Sequence, residues 1–278
     1  TSKQKISLST IVAAGKFINE YFCTFIRLTF SHLSGLKRFL KDTIIYGIAA
    51  VLPRVINFLL VRIHTDALPA DDYAVNSDFY IWTALFAVLL TFGMETAFFR
   101  FYNTENKKDT LVSTSFISML ITVIGFVIII ALFFDFFQTF FDFKNNPLRL
   151  KLFVGILAID TISMIPFAYL RVSNKPIRYA GIKLVNVGVI VIINLLFLKF
   201  IPAFLEQGKN LPTLIKDNYL EADKVNYIFI ANIFGSAISL FMLMPYLMKF
   251  KFDFDFHLLK KILAYSWPIM VAGLAYVI

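Results

Sequence analysis

LVSTSFISMLITVIGFVIIIALFF, residues 111–134, is a long apolar run without a charged side chain. A helix rises about 1.5 Å per residue, so this run is long enough to cross the ~30 Å hydrocarbon core of a bilayer. Comparable segments lie at 43–63, 79–99, 152–172, 180–200 and 227–248, and another begins near Ile262. Since lipid offers the backbone no hydrogen-bonding partner, such segments must be helices. The sequence therefore predicts an all-α polytopic membrane protein, with six transmembrane helices forming one lobe plus the start of a seventh.

The composition supports a membrane environment and excludes several other classes of protein. The chain has 278 residues, is 59% hydrophobic and contains 33 phenylalanines, more apolar surface than a soluble fold of this length needs. Its net charge of +9 comes from short basic clusters between the apolar runs, without the basic face that binds nucleic acid. Cys23 is the single cysteine, and His32, His64 and His257 lack the spacing of metal ligands. We therefore expect no nucleic-acid partner, no metal and no cofactor.

The charges of the loops predict the orientation of the helices. Residues 64–78, after the first helix, contain Asp66, Asp71 and Asp72 but no Lys or Arg. Basic residues instead cluster before the first helix and at every second loop after it: Lys37, Arg38, Lys41, Arg100, Lys107, Lys108, Arg171, Lys175, Arg178, Lys249, Lys251, Lys260 and Lys261. The contrast is smaller for the later loops of the other side, since residues 135–151 and 201–226 each carry three basic residues. Basic loops stay on the cytoplasmic side of a membrane. The N-terminus is therefore predicted to be cytoplasmic.

Residues 1–38 have the periodicity of an amphipathic helix. Polar side chains recur at helical spacing from Lys16 to Ser31, and apolar ones such as Phe17 and Phe25 occupy the other side. Two interpretations stay open. The segment either lies in the inner membrane interface, attracted by anionic lipid, or spans the membrane, which its charges would make costly. We expect the interfacial arrangement.

The chain is predicted to divide into the interfacial segment 1–38, a six-helix transmembrane lobe at 39–250 and the start of a second lobe at 251–278. LKDTIIYG, residues 40–47, and LKKILAYS, residues 259–266, open the first and seventh helices with Leu, Lys and Tyr at equivalent places. This match either marks a parallel repeat, as in transporters built from two halves, or arises by chance in apolar sequence. The last helix is still apolar at the end of the chain, so we expect a fragment of a longer protein.

Ionisable residues inside the spans carry the functional argument, because each costs about 2.5–3.5 kcal/mol at the bilayer centre and normally faces a partner or a watery cavity. Arg54 and Asp160 lie near the midplane, on helices that enter from opposite sides. Glu95 and Lys183 both lie near cytoplasmic helix ends. Each pair therefore either bridges two helices or lines one cavity. Asp160 and Lys183 are candidates for ion coupling or for a structural ion pair.

Two sequence details refine the roles of the arginines. In FGMETAFFRF, residues 92–101, Glu95 precedes Arg100 by five positions, whereas helix neighbours lie three or four apart. Arg100 is therefore expected to extend into the cytoplasmic interface. Pro53 precedes Arg54 and removes a backbone donor, which indicates either a passive kink or a kink beside a cavity. In the second case, Arg54 is a candidate anion site.

At these residues the sequence resembles a known family. LKDTIIYGIAAVLPRVINFLLVRIHTDALPADDYAV, residues 40–75, and YIWTALFAVLLTFGMETAFFRFY, residues 80–102, are similar to the first two helices of Wzx-type polysaccharide flippases of the multidrug, oligosaccharidyl-lipid and polysaccharide exporter superfamily. GMETAFFRF resembles the versions in Bacteroidetes-type exporters. PFAYLRVSNKPIRYAGIKLVNVGVIVIINLLFL, residues 166–198, shares their Pro, their Arg before a short loop and their Asn in the fifth helix. The resemblance covers residues 39–278.

The resemblance implies a transporter, not an enzyme, in the bacterial inner membrane. Such flippases move an oligosaccharide attached to polyprenyl diphosphate to the periplasmic leaflet by alternating access, for assembly of lipopolysaccharide and other surface polysaccharides. By this resemblance, Arg54 and Glu95 lie on the wall of a central cavity, with Arg62 and Arg100 nearer its mouths, and all four bind substrate. Arg54 suits the diphosphate because its guanidinium stays charged and donates bidentate bonds. Glu95 is expected to tune the arginines, to bond sugar hydroxyls, or to bind a coupling Na⁺ or H⁺.

Three other classes stay open. A cation-coupled multidrug exporter shares the fold but favours acidic groups, whereas the first helix here carries Arg54. A membrane glycosyltransferase or polymerase acts on the same lipid-linked sugars, but the longest loop here, residues 201–226, has no recognisable acid pair or metal motif. The third class is a structural membrane subunit without transport activity.

Overall fold

A computed structural model of the chain describes residues 40, 43–48, 51–143, 146–207, 219, 224–248 and 250–277. The chain divides into two compact units, Thr1–Ile48 and Ala49–Ile278. In the first unit, residues 40 and 43–48 are helical. The interfacial segment predicted at residues 1–38 lies outside the described residues, and the predicted boundaries after residues 38 and 250 stay predictions. The second unit holds the helical bundle and its cavities.

The described part of the chain is almost entirely helical and contains no strand. Its helices, in chain order, are α1 (Thr43–Ala67), α2 (Ala70–Thr91), α3 (Met94–Thr104), α4 (Lys108–Leu132), α5 (Phe134–Phe140), α6 (Pro147–Val172), α7 (Pro176–Leu195), α8 (Ile201–Glu206), α9 (Lys224–Leu247) and α10 (Phe256–Val277). Residues 49 and 50 of α1 are not described. A π-helical turn, Leu196–Phe200, joins α7 to α8.

Seven stretches of the described chain are long and apolar enough to cross a membrane: Thr43–Ala67, Ala70–Thr104, Lys108–Leu132, Pro147–Val172, Pro176–Glu206, Lys224–Leu247 and Phe256–Val277. They match, in order, the six predicted segments and the start of the seventh. The predicted class, an all-α polytopic membrane protein, is therefore confirmed. Several helices extend beyond the predicted apolar segments, because hydropathy marks the hydrocarbon core whereas a helix continues into the polar interface.

α6 is the most buried of the spanning helices and packs against α9, α4, α2 and α3, while α9 lies between α6 and α7. A small residue permits the approach of α9 to α7: a Cβ at Gly235 would lie 2.7 Å from Cγ1 of Ile190. Small residues at helix interfaces are a usual means of packing in membranes, where lipid gives no hydrophobic drive for helix association. The buried faces of α6, α7 and α9 are thus fixed relative to one another.

An aromatic core joins α2, α6 and α9. The Phe79 and Phe229 rings stack with centroids 3.6 Å apart, and Phe153 meets Phe79 edge-on at 5.7 Å. All three side chains are almost completely buried. Phe79 lies in the first half of α2, and Phe153 and Phe229 lie within two turns of the starts of α6 and α9, so this core lies towards the end of the bundle that carries residues 64–78. We call this the acidic-loop end, and the opposite end, where α6 meets α7, the basic-loop end.

α2 and α3 are separated by a sharp break at Phe92 and Gly93, both in the left-handed backbone region with φ of 53° and 65°. Glycine adopts this conformation without the steric cost that a Cβ imposes. A Cβ at Gly93 would also lie 2.8 Å from the backbone oxygen of Ser266 on α10. Gly93 therefore ends α2 and lets α10 approach the chain at the same point. The predicted single span at 79–99 is two helices.

The loop before α10 is tied to α4. Oγ1 of Thr110 donates a 2.6 Å hydrogen bond to Oδ2 of Asp253, and the backbone N–H of Asp255 donates to Oγ1 of Thr114 at 3.1 Å. Asp255 also caps α10, since its Oδ1 accepts from the N–H groups of Leu258 and His257. These hydrogen bonds favour the carboxylate and lower the pKa of Asp255 below its ordinary value.

Candidate functional site

The helices of the second unit surround a cavity of about 420 Å³. Its lining residues come from α1, α2, α3, α6, α7 and α9: Pro53, Asn57, Thr91, Glu95, Asp160, Ser163, Met164, Phe167, Tyr179, Lys183, Asn186, Val187, Ile190, Asn232 and Ser236. We call it the charged cavity, because Glu95, Asp160 and Lys183 line it together. Its volume lies within the ~300–1,000 Å³ that is usual for sites of small molecules.

Asp160, on α6, lies where α6, α7 and α9 meet the charged cavity. The Ser236 hydroxyl of α9 donates to its carboxyl group, and the positive charge of Lys183 on α7 acts on it. Protein surrounds Asp160 on most sides, yet the side chain is solvent-accessible because it lines the cavity. The Ser163 hydroxyl, one turn further along α6, is buried and has no hydrogen-bond partner among the described residues. The wall therefore offers a carboxyl and an unsatisfied hydroxyl close together.

Lys183 supplies the positive charge of the charged cavity. Its Nζ lies 4.2 Å from the centroid of the Phe167 ring, which makes a cation–π contact. Asp160 and Glu95 both act on its charge. Within the described part of the chain, however, no carboxylate oxygen lies within 4.0 Å of this ammonium group. Lys183 is thus a cation in a cavity without a direct ion pair.

Glu95, at the start of α3, is paired with α6. Nη1 of Arg171 donates a 2.8 Å hydrogen bond to Oε1 of Glu95, and the Arg171 guanidinium lies over the Phe99 ring at 4.6 Å. The sequence offered Lys183 as the partner at this depth. Lys183 lies on the same cavity, as predicted for this pair, but the direct contact of Glu95 in the structure is with Arg171.

The three predicted arginines lie outside the charged cavity. Arg54 is exposed on α1 and lines neither this cavity nor the second one, although its neighbour Pro53 does line the charged cavity. Arg62 is exposed and lies 3.9 Å from Asp66, one turn along α1. Arg100 lies over the Tyr265 ring at 4.2 Å, at the basic-loop end. The structure therefore does not bring Arg54 and Asp160 together.

A second cavity of about 350 Å³ adjoins the charged cavity and shares Asn57, Ile190 and Asn232 with it. The remainder of its wall consists of Leu60, Val61, His64, Tyr73, Asn76, Ser77, Tyr80 and Asn194. We call it the amide cavity, because its lining includes four asparagines and no Asp, Glu, Lys or Arg. It lies towards the acidic-loop end, since His64 lies in the last turn of α1 and Tyr73 in the first turn of α2.

A buried hydrogen bond connects α1 and α7 at the amide cavity. Nε2 of His64 lies 2.9 Å from Oδ1 of Asn194, and both side chains are buried. Nδ2 of Asn194 donates to the backbone oxygen of Ile190 at 2.8 Å. His64 is therefore held by an amide, and it is not part of a metal-ligand cluster: the described residues contain no group of three or more His, Cys, Asp or Glu that could hold a metal ion.

None of the amides and hydroxyls that line the two cavities was predicted as a site residue, although the family resemblance includes an Asn of the fifth helix. Asn57, Asn186 and Asn232 lie inside apolar segments, as do Ser163 and Ser236. Their signal was present in the sequence, because a buried amide in a membrane helix must also find partners or line a polar space. The predicted site residues were chosen among charged side chains alone, so these amides and hydroxyls were not included.

Comparisons of this chain with models of protein families, with curated proteins and with solved structures find no match.

Proposed function

We propose that this protein is a flippase, which moves a polyprenyl-diphosphate-linked oligosaccharide across the bacterial inner membrane by alternating access. The observation that carries the proposal is the charged cavity, a polar space between membrane-spanning helices that is lined by Glu95, Asp160 and Lys183. The resemblance of residues 39–278 to Wzx-type flippases supports the same class. In this proposal, membrane lipids surround the bundle, the N-terminus is cytoplasmic and the chain performs no chemical reaction.

The free-energy cost of placing ionisable groups inside the spans supports a transport role over a purely structural one. Each ionisable group inside a span costs about 2.5–3.5 kcal/mol on insertion scales. A structural ion pair would bring the opposite charges into direct contact, as Glu95 and Arg171 do at 2.8 Å. Lys183 lines an open polar space without such a contact. This arrangement suits a cation that receives a ligand.

In this proposal, Lys183 binds the anionic diphosphate of the substrate. An ammonium group acts on a phosphate as a point charge and does not need the planar fork of an arginine. Asn186 lines the same space, and its amide can donate further hydrogen bonds to phosphate oxygens. Glu95 holds Arg171 at the basic-loop end, where a diphosphate would enter from the cytoplasmic leaflet. Arg54 and Arg62 remain candidate substrate residues of α1, outside the two cavities.

A second candidate function is a cation-coupled exporter with the same fold. Two carboxylates, Glu95 and Asp160, line the charged cavity, and acidic groups suit cationic drugs and a coupling Na⁺ or H⁺. Asp160 is the stronger candidate for the coupling site, because Glu95 is already paired with Arg171.

Reconstitution of the complete protein in liposomes tests the first proposal. A fluorescent polyprenyl diphosphate carrying a short oligosaccharide should be flipped, and Lys183→Gln should lower the initial rate at least about tenfold. Lys261→Gln, at an exposed lysine of α10, is the matched control and should retain the rate.

Three outcomes would contradict the proposal or reassign the function. Absence of flipping by the unaltered protein would contradict it. Equal flipping by the Lys183→Gln variant would remove the assigned role of the charged cavity. Export of a cationic dye that is lost in Asp160→Asn would support the second candidate instead.

A further inference from the structure

We infer that the amide cavity binds the uncharged sugar units of the substrate and discriminates against acidic sugars. The origin of the sugar, as part of a lipid-linked oligosaccharide, rests on the proposed function. The preference for a neutral, hydroxyl-rich ligand rests on the groups that line the cavity.

The absence of charged side chains from the wall of the amide cavity favours a neutral ligand. The cavity wall contains no Asp, Glu, Lys or Arg, and its polar side chains are four asparagines, two tyrosines, Ser77 and His64. Its histidine, His64, is already hydrogen-bonded to Asn194. A sugar carboxylate placed here would lose its hydration without gaining a cation, which is a large penalty for a buried charge. A neutral sugar loses only hydroxyl hydration, which amides can replace.

The lining of the amide cavity includes a residue whose hydrogen-bond acceptor lacks a donor within the described part of the chain. Oδ1 of Asn76 is buried and has no hydrogen-bond partner among the described residues. Such a group costs about 1–3 kcal/mol unless something donates to it. A sugar hydroxyl can donate, whereas an ionised carboxylate can only accept. The unsatisfied oxygen therefore favours a ligand that carries O–H groups.

The same cavity also contains a side chain that can donate a hydrogen bond, Tyr80. Nδ2 of Asn232 donates a 2.8 Å hydrogen bond to the Tyr80 hydroxyl oxygen, so the Tyr80 hydroxyl proton remains available to donate. Asn76 and Tyr80 are four residues apart on α2 and lie on the same face of that helix. One acceptor and one donor at this spacing match a sugar hydroxyl, which both donates and accepts.

The amide cavity is continuous with the charged cavity. The amide cavity and the charged cavity share Asn57, Ile190 and Asn232, so one ligand can occupy both. Lys183 then faces the anionic part of that ligand while Asn76 and Tyr80 face its neutral part. The volume of about 350 Å³ is at the lower end of the range for small-molecule sites, which suits a small part of an oligosaccharide.

The test measures sugar binding directly, separately from flipping. N,N′-diacetylchitobiose (here chitobiose), a neutral disaccharide, and digalacturonate, an acidic one, are titrated at pH 7 into the complete protein in nanodiscs and followed by ligand-observed NMR. Chitobiose should bind at least about tenfold more tightly. Tyr80→Phe removes one hydroxyl and should weaken chitobiose binding about threefold to tenfold, the usual worth of one neutral hydrogen bond. Tyr276→Phe, at a tyrosine of α10 that is 92% exposed, is the matched control and should bind normally.

A second variant separates binding from folding. Asn76→Leu removes the unsatisfied acceptor at similar volume, so the ligand-free protein should melt at the same temperature or higher while chitobiose binding weakens. Equal affinity for the two disaccharides, no binding of either, or unchanged chitobiose binding in Tyr80→Phe would overturn the inference. If chitobiose binds selectively but no lipid-linked sugar is flipped, the proposed function fails and the sugar site stands.

Discussion

Arg171 and Glu95 connect α6 to the start of α3 through a 2.8 Å hydrogen bond between Nη1 and Oε1. The two side chains are 44% and 45% exposed, so the contact forms at the mouth of the charged cavity and not in a sealed core. Accessible ion pairs contribute little to stability because water and salt screen them. The pair therefore orients Glu95 and Arg171 more than it stabilises the fold.

We predict a small coupling free energy between these two residues. Glu95→Gln, Arg171→Gln and the double variant form a cycle, which should give about 0.2–1 kcal/mol at low salt and less at high salt. Thermal or denaturant unfolding in detergent measures it. A coupling above about 2 kcal/mol, or one that salt leaves unchanged, would mean that the pair is shielded from solvent.

Gly93 should be far less tolerant of substitution than a glycine in an open part of a helix. Gly93→Ala forces a Cβ into a left-handed conformation, at a cost of about 1–3 kcal/mol, and against the backbone oxygen of Ser266. Its melting temperature in detergent should fall clearly. Gly125→Ala, where no atom lies within 4 Å of the added Cβ, is the control and should melt like the unaltered protein. Equal melting of both variants would contradict the packing of α10 at this break.

The contact between His64 and Asn194 should be worth more than its single hydrogen bond. Asn194→Leu leaves a buried imidazole without its partner, which should lower the free energy of unfolding by about 1–3 kcal/mol. Adding His64→Phe should recover part of that loss. Asn103→Leu, at an exposed position of α3, controls for the loss of an amide. Losses that simply add in the double variant would show that the two side chains are not coupled.

Asp255 should give the start of α10 a pH-dependent stability. Its pKa in the folded protein lies below the ordinary value of 3.8, mainly because the N–H of Leu258 donates to the carboxylate. The contribution is therefore fully present above the unfolded pKa and is lost as the pH falls through the lower, folded pKa. We expect the melting temperature of Asp255→Asn to lie below that of the unaltered protein at pH 7, with the gap closing below about pH 4. A gap that is constant from pH 7 to pH 3 would refute this.

The spans could be predicted from the sequence because the bilayer itself sets their length. An uncharged run such as 111–134 has no alternative to a membrane helix, and α4 covers nearly the same residues, Lys108–Leu132. The break at Phe92 and Gly93 was missed, since both sides of it are apolar and hydropathy does not respond to backbone conformation. The left-handed backbone at Gly93 and the close approach of Ser266, far along the chain, together explain the glycine.

The charged cavity could be predicted in part, because depth along a helix can be counted but rotation about its axis cannot. Counting residues from the helix ends placed Glu95 and Lys183 at the same depth, and both side chains line the charged cavity. The same count also matched Arg54 with Asp160, yet each step along a helix turns the side chain by about 100°. Pro53 and Asn57 lie on the face of α1 that meets the cavity, and Arg54 is turned away from it. The rotation of α1 follows from its packing, including the His64 contact, which no local pattern encodes.

The close fit of α10 at Gly93 has a mechanical consequence. Glu95 follows Gly93 by two residues, at the start of α3, and the Ser266 oxygen occupies the space where a larger residue would need its Cβ. A shift or tilt of α10 at this point would press on the α2–α3 joint, where the Phe92 N–H donates to the Val88 oxygen and the Gly93 oxygen accepts from the Ala97 N–H. A movement of α10 would therefore be transmitted to the segment that carries Glu95, although the side chains of α10 do not line the charged cavity.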